Sequence, residues 1–111
     1  MPRGRTVLIE DVTTTGGSLL STLGTLLELN VDVVAAIGIT DRQERRDDGQ
    51  TVSEAISALG ASFGKTLSYF SMSGAASLLP ALVKRKMPSE KIMRSIEDEF
   101  LQYGIQALSL R

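Results

Sequence analysis

The sequence predicts an α/β chain built on a parallel sheet, and three observations carry that expectation. Short continuous apolar runs at 6–9 and 31–39 each stop at charged residues, as strands buried on both faces do. Between them Leu19, Leu20, Leu23, Leu26 and Leu27 recur at helical spacing behind a loop rich in hydroxyls and glycine. The resulting order of strand, polar loop, helix and strand is a β-α-β unit, right-handed by the usual rule.

The first strand is Thr6-Val7-Leu8-Ile9, which stops at Glu10-Asp11, and the second runs from Val31 to Ile39 and stops at Asp41-Arg42. Residues 43–50 hold no apolar side chain, so 40–50 is expected to be an exposed, mobile loop. Thr51-Val52-Ser53-Glu54 has the spacing of a capping box, with Ala55, Ile56 and Leu59 as an apolar face and Gly60 as the stop. A third strand is expected within 65–71. Ser73-Gly74 then opens a helix through Leu78, Leu79, Leu82 and Val83, which Pro80 kinks or restarts. Pro88-Ser89 begins a last amphipathic helix with Ile92, Ile96, Phe100 and Leu101 inward. No internal repeat or linker divides the chain.

At 111 residues, 42% hydrophobic and 23% charged, residues 1–111 form one domain, able to bury roughly two-thirds of the surface of the unfolded chain. Twelve basic against thirteen acidic residues leave a net charge of -1, which gives no basic excess for a nucleic-acid partner. With no cysteine and no histidine there is no disulfide, thiolate nucleophile, zinc-thiolate site or imidazole base, and most hydrolase mechanisms fall away. No apolar run approaches the roughly 18 residues of a membrane span, and no signal core follows Met1-Pro2-Arg3-Gly4-Arg5. A cytoplasmic chain with no membrane partner is expected.

In parallel sheets the ligand site lies outside the carboxyl ends of the strands, and here that edge carries Glu10 to Ser18, Asp41-Arg42 and Ser71 to Gly74. Two carboxylates at a strand end offer acceptors to vicinal hydroxyls such as those of a ribose. The loop behind them presents backbone N–H groups, Thr and Ser hydroxyls and a helix N-terminus, an anion site of the size of one phosphate. A P-loop would carry a lysine within the loop, and no lysine precedes Lys65. The spaced glycines of a dinucleotide fingerprint are missing too. As general surface chemistry, Glu10-Asp11 would be a strand end before a cap, Thr13 to Ser18 a hydroxyl-rich turn, and Arg42 a solvated arginine. Their joint placement favours a site. Asp47-Asp48, two adjacent acids without further oxygen ligands, carry no metal role.

The run Val7-Leu8-Ile9-Glu10-Asp11-Val12-Thr13-Thr14-Thr15-Gly16-Gly17-Ser18 resembles the phosphoribosyl pyrophosphate motif of the type I phosphoribosyltransferases. Within that family the likeness is to the orotate phosphoribosyltransferases, because Ile39-Thr40-Asp41-Arg42-Gln43-Glu44 resembles their Asp-Arg-Gln-Glu segment at a matching distance. The resemblance implies the Rossmann-like parallel sheet of that family and transfer of a phosphoribosyl group to orotate, giving orotidine 5-phosphate and pyrophosphate in pyrimidine nucleotide biosynthesis. It implies that Glu10 and Asp11 bind the ribose hydroxyls and stabilise the reacting centre. Val12, Thr13, Thr14, Thr15, Gly16, Gly17 and Ser18 then hold the phosphoribosyl pyrophosphate with them, and Thr14 and Arg42 contact orotate. Magnesium is expected to arrive with the pyrophosphate, with no dedicated protein ligands.

The family's first half supplies a hood over the base, a pyrophosphate loop and a Lys/Arg-rich closing loop, and no segment here matches them. The chain is therefore expected to correspond to the carboxyl-terminal half of the family domain and to pair as a homodimer or with a missing half through an open sheet edge. The alternative function is a non-catalytic phosphoribosyl-ligand-binding or assembly module, or a type I transferase for another base.

Overall fold

Seven elements follow one another in the computed structural model, which describes residues 3–85 and 88–110. They are β1 (Arg5–Thr13), α1 (Gly17–Glu28), β2 (Asp32–Asp41), α2 (Val52–Ser62), β3 (Ser68–Gly74), α3 (Ala75–Arg85) and α4 (Glu90–Tyr103). The strands form one parallel sheet in the order β1-β2-β3. β1 runs four residues beyond its apolar core, so Glu10 and Asp11 lie within its carboxyl end and not past it. Thr13 pairs with Asp41, which brings the ends of β1 and β2 level, and Asp41 pairs with Gly74 on β3.

Because the strand order is sequential, crossovers of one hand place α1 and α2 on the same side of the sheet. There Leu19, Leu23 and Leu27 of α1 and Val52 and Ile56 of α2 close over Val33, Ala36 and Leu67 to form the main core. Each leucine contributes about 1.5–3 kcal/mol by leaving water, which makes this stripe the principal source of stability. The expectation that β1 and β2 are buried on both faces is therefore corrected. Ile9, Ile37 and Phe70 form a row across the three strands on the opposite face, and Ile9 and Phe70 are 63% and 60% exposed. No helix among the described residues lies over Val7, Ile9, Phe70 or Met72.

The capping box at Thr51 is formed in full: its hydroxyl accepts from the Glu54 N–H while the Glu54 carboxylate accepts from the Thr51 N–H. Gly60 does not stop this helix. Its missing side chain admits Leu67, whose Cγ would stand 2.9 Å from a Cβ there, and the left-handed glycine past the end is Gly64, with φ of +70°.

α3 contains Pro80 and runs through it to Arg85. In α4, capped by Ser89, the inward residues are Met93 and Phe100 with Ile96 half-buried, while Ile92 and Leu101 face solvent. Val83, Met93 and Leu110 form a second, small cluster, so α4 packs against α3 and the tail and not against the sheet. The chain is accordingly extended, 50 × 27 × 17 Å, with a radius of gyration of 16.2 Å against about 13 Å for a compact domain of this length.

Candidate functional site

The loop between β1 and α1 is shaped by Gly16, which is buried with φ of +77° and takes the N-cap position of α1. No side chain caps this helix and its first turn has no acidic residue, so its leading N–H groups and the positive end of its dipole are left for another acceptor. They open into a cavity of about 200 Å³ lined by Glu10 and by Val12 through Leu19. Of the residues expected to hold phosphoribosyl pyrophosphate, the fold brings together Glu10, Val12, Thr13, Thr14, Thr15, Gly16, Gly17 and Ser18. Asp11 stands apart: it is exposed, and its carboxylate accepts from the Val12 N–H at 2.7 Å, outside the cavity wall.

Arg42 lies at the end of β2, where its N–H donates to the Thr13 carbonyl at 2.8 Å. Its guanidinium pairs with Glu44 at 2.7 Å and faces a different opening, a groove of about 780 Å³ between α3 and α4 walled by Leu78, Leu82, Ile92 and Phe100. Thr14 and Arg42 thus sit on adjoining strand ends but in separate cavities. The Arg42–Glu44 pair is half-exposed and contributes at most about 1 kcal/mol, so the guanidinium is readily released to a ligand carboxylate.

Segment 40–50 is not the free loop expected from its polarity. Thr40 and Asp41 belong to β2, Glu44 bridges to Gly104, and the N–H groups of Arg45 and Ile105 bind carbonyls of Tyr103 and Gln43. Arg46 reaches back to donate to the Thr15 carbonyl, which places a second guanidinium beside the loop. Sequence reasoning missed Arg46, because nothing local ties a residue of a charged run to a loop 31 positions earlier.

Tyr69 was also missed. Its hydroxyl donates to Asp41 Oδ2 at 3.1 Å and lies beside the buried Thr13 hydroxyl, which has no well-formed hydrogen bond of its own. Burial pushes the Tyr69 phenol up to about 12; the Thr13 hydroxyl opposes the rise and the Asp41 carboxylate adds to it. The folded state thus keeps this proton to about pH 12, while the unfolded phenol loses it near pH 10. The stability contributed is complete below pH 10 and is lost as pH rises through 12. Urea midpoints of the wild type are expected to fall across that window more steeply than those of Tyr69→Phe, all other titrating groups being common to both. Parallel pH profiles would contradict the assignment.

Among the described residues no three acidic side chains converge as a metal cage. The donors at the loop, Glu10 in the cavity wall and Asp11 outside it, suit a cation already held by substrate oxygens and water. No helix among the described residues is long and apolar enough to cross a membrane.

No family model and no curated protein matches the chain. Solved structures do, two of them orotate phosphoribosyltransferases. The orotate phosphoribosyltransferase of Aeropyrum pernix matches over 73% of this chain and 39% of its own, at 30% identity and a TM-score of 0.51. The chain resembles part of an orotate phosphoribosyltransferase. The enzyme of the same name from Francisella tularensis covers 90% of this chain and 46% of its own, with a TM-score of 0.61 and 21% identity, a likeness of fold. The phosphoribosyltransferase fold expected from the motif is thus present, and the chain spans less than half the length of either orotate phosphoribosyltransferase. That partial cover agrees with a likeness to the carboxyl-terminal half.

Proposed function

We propose that this chain supplies the ribose-phosphate and orotate half of an orotate phosphoribosyltransferase site. The observation that carries the reading is the cavity at the uncapped start of α1, with Glu10 in its wall, in a phosphoribosyltransferase fold. The 5-phosphate accepts hydrogen bonds from the N–H groups of the loop and the first turn, and the Thr and Ser hydroxyls there add donors. Glu10 accepts from the ribose hydroxyls, and Asp11 does so by turning its carboxylate from the Val12 N–H. Arg42 exchanges Glu44 for the orotate carboxylate, and Thr14 faces the base from the adjoining strand end.

In the reaction a pyrimidine nitrogen of orotate gives up its N–H proton to solvent or to the departing pyrophosphate and forms a bond to C1 of the ribose as the bond from C1 to pyrophosphate breaks, and pyrophosphate leaves with the bonding pair. Positive charge develops on the ribose ring in passing, and the carboxylates of Glu10 and Asp11 stabilise it electrostatically. Glu10 and Asp11 are the carboxylates that would stand beside a magnesium ion arriving with the substrate, and the ion would supply neutralisation of charge on the leaving group. The row Ile9, Ile37 and Phe70, with Ile9 and Phe70 exposed and Ile37 half-buried between them, supports a second reading, a non-catalytic assembly module that keeps the ligand grip and docks through this face, as a homodimer or on another chain.

Mixing the chain with magnesium, phosphoribosyl pyrophosphate and orotate while following orotate absorbance separates the two, with calorimetric binding alongside. Turnover is expected for the enzyme, and binding without turnover for the module. Glu10→Gln is expected to weaken phosphoribosyl pyrophosphate binding by about 10- to 100-fold, the worth of charged hydrogen bonds to a diol. Absence of binding by the folded wild type would overturn both readings, and orotate affinity unchanged in Arg42→Ala would overturn the orotate assignment.

A further inference from the structure

Tyr69 pairs across the sheet with Ala36, yet its hydroxyl ends beside Gly38 and reaches Asp41, whose own partner on β3 is Gly74. The ring therefore lies along the strands on the side covered by α1 and α2 and points to their carboxyl ends. Only glycine at position 38 leaves it this path. A Cβ there would stand 2.6 Å from the Tyr69 hydroxyl and 2.8 Å from Thr13 Oγ1, closer than packed atoms tolerate. Three strands thus bring Thr13, Gly38, Asp41 and Tyr69 to one point directly below the loop.

That point governs Arg42. Asp41 is 8% exposed, and its carboxylate is held at both oxygens, Oδ2 by the Tyr69 hydroxyl and Oδ1 by the Gln43 N–H at 2.7 Å. Gln43 has φ of +57°, a conformation that a non-glycine residue keeps only when its surroundings hold it there. The Asp41 carboxylate is one such restraint. The others are the bonds from the Ala76 N–H to Gln43 Oε1 and from the Ile105 N–H to the Gln43 carbonyl. Arg42 sits between these two fixed residues and donates its own N–H to the carbonyl of Thr13, the last residue before the loop. Removal of the phenol hydroxyl would leave a buried carboxylate oxygen without its donor and free the turn to re-form around water.

Resting on the reading of the site given above, the structure assigns to Tyr69 the role of a positioning residue. Its hydroxyl, through Asp41, sets Arg42 on the end of β2 in register with the phosphate loop on the end of β1. Tyr69 touches no ligand in this role, and a ring that served packing alone would be replaced by phenylalanine without consequence.

Two measurements on Tyr69→Phe and Asp41→Asn test it. In the chain without ligand, amide hydrogen exchange at Arg42 and Gln43 is expected to quicken at least about tenfold in both variants, while amides of Leu23 and Leu27 in α1 keep their wild-type rates. Unchanged exchange at Arg42 and Gln43 in either variant would overturn the assignment. In calorimetry with magnesium and phosphoribosyl pyrophosphate present, Tyr69→Phe is expected to weaken orotate binding by about as much as Arg42→Ala, with little further loss in the double variant, as for residues acting through one group. Full additivity, or orotate affinity unchanged in Tyr69→Phe, would overturn it as well. Should the wild type bind neither ligand, the functional reading of the site fails, and the exchange rates alone decide whether Tyr69 positions Arg42.

Discussion

Gly16→Val is expected to weaken binding of phosphoribosyl pyrophosphate by at least about tenfold and to lower thermal stability with it. Gly16 holds φ of +77°, where an L side chain costs about 1–2 kcal/mol and a β-branched one more. The site is tight as well, because a Cβ would stand 3.1 and 3.3 Å from the two methyl groups of Val52, part of the main core, and the branches of a valine would press closer still. The loop must then withdraw from α2 or α1 must start later, and either movement takes the leading N–H groups off the cavity. Gly17→Ala is the contrasting variant. Gly17 is exposed, has ordinary backbone angles and has no heavy atom nearer than 3.9 Å to a new Cβ, so it is expected to leave stability unchanged or raise it by a few tenths of a kcal/mol. Calorimetric titration and thermal melts of both variants check the pair, and equal effects of the two would contradict the role given to Gly16.

The second large effect is expected at Leu23, which is fully buried in the centre of α1 against the sheet and α2. Leu23→Ala should cost about 2–5 kcal/mol, from lost transfer energy and from a cavity that a close-packed core cannot fill. A domain of this size has about 5–15 kcal/mol in all, so the variant loses a large share of its stability and its urea midpoint falls accordingly. Ile9→Ala, on the other face of the sheet, should cost less than about 1 kcal/mol, because Ile9 is already 63% exposed. The difference is diagnostic of which face is covered in solution. If Ile9→Ala proves as costly as Leu23→Ala, and the cost grows with protein concentration, the open face is buried by association, as the assembly reading requires.

Much of the site was legible because it is local. Thr13 to Ser18, between an apolar run and a leucine stripe, describes a loop into a helix N-terminus with no reference to the rest of the chain, and the cavity lies there. The Thr51 and Glu54 capping box was equally legible, since both partners lie within one turn. Arg42 was placed correctly at a strand end, but the facing of its guanidinium, toward Glu44 and the α3–α4 groove, depends on helices folded more than thirty residues later. Arg46 and Tyr69 gave no signal at all. Each acts through a partner 28 or 31 positions away, and no spacing rule reaches that far.

The amino-acid order alone was sufficient for the β-α-β succession, the phosphate-sized loop and the pairing of carboxylates with hydroxyl-rich turns, because strand and helix periodicity and capping are properties of neighbouring residues. It could not say which strand face would be covered. Apolar residues on both sides of β1 and β2 read the same whether two helical layers cover them or one, and only the sequential strand order, which sends α1 and α2 to one side, settled that Leu8 is sheltered while Ile9 is not. The register of three strands likewise brought Thr13, Asp41 and Tyr69 together beneath the loop, since cross-strand neighbours are chosen by pairing and not by position in the chain.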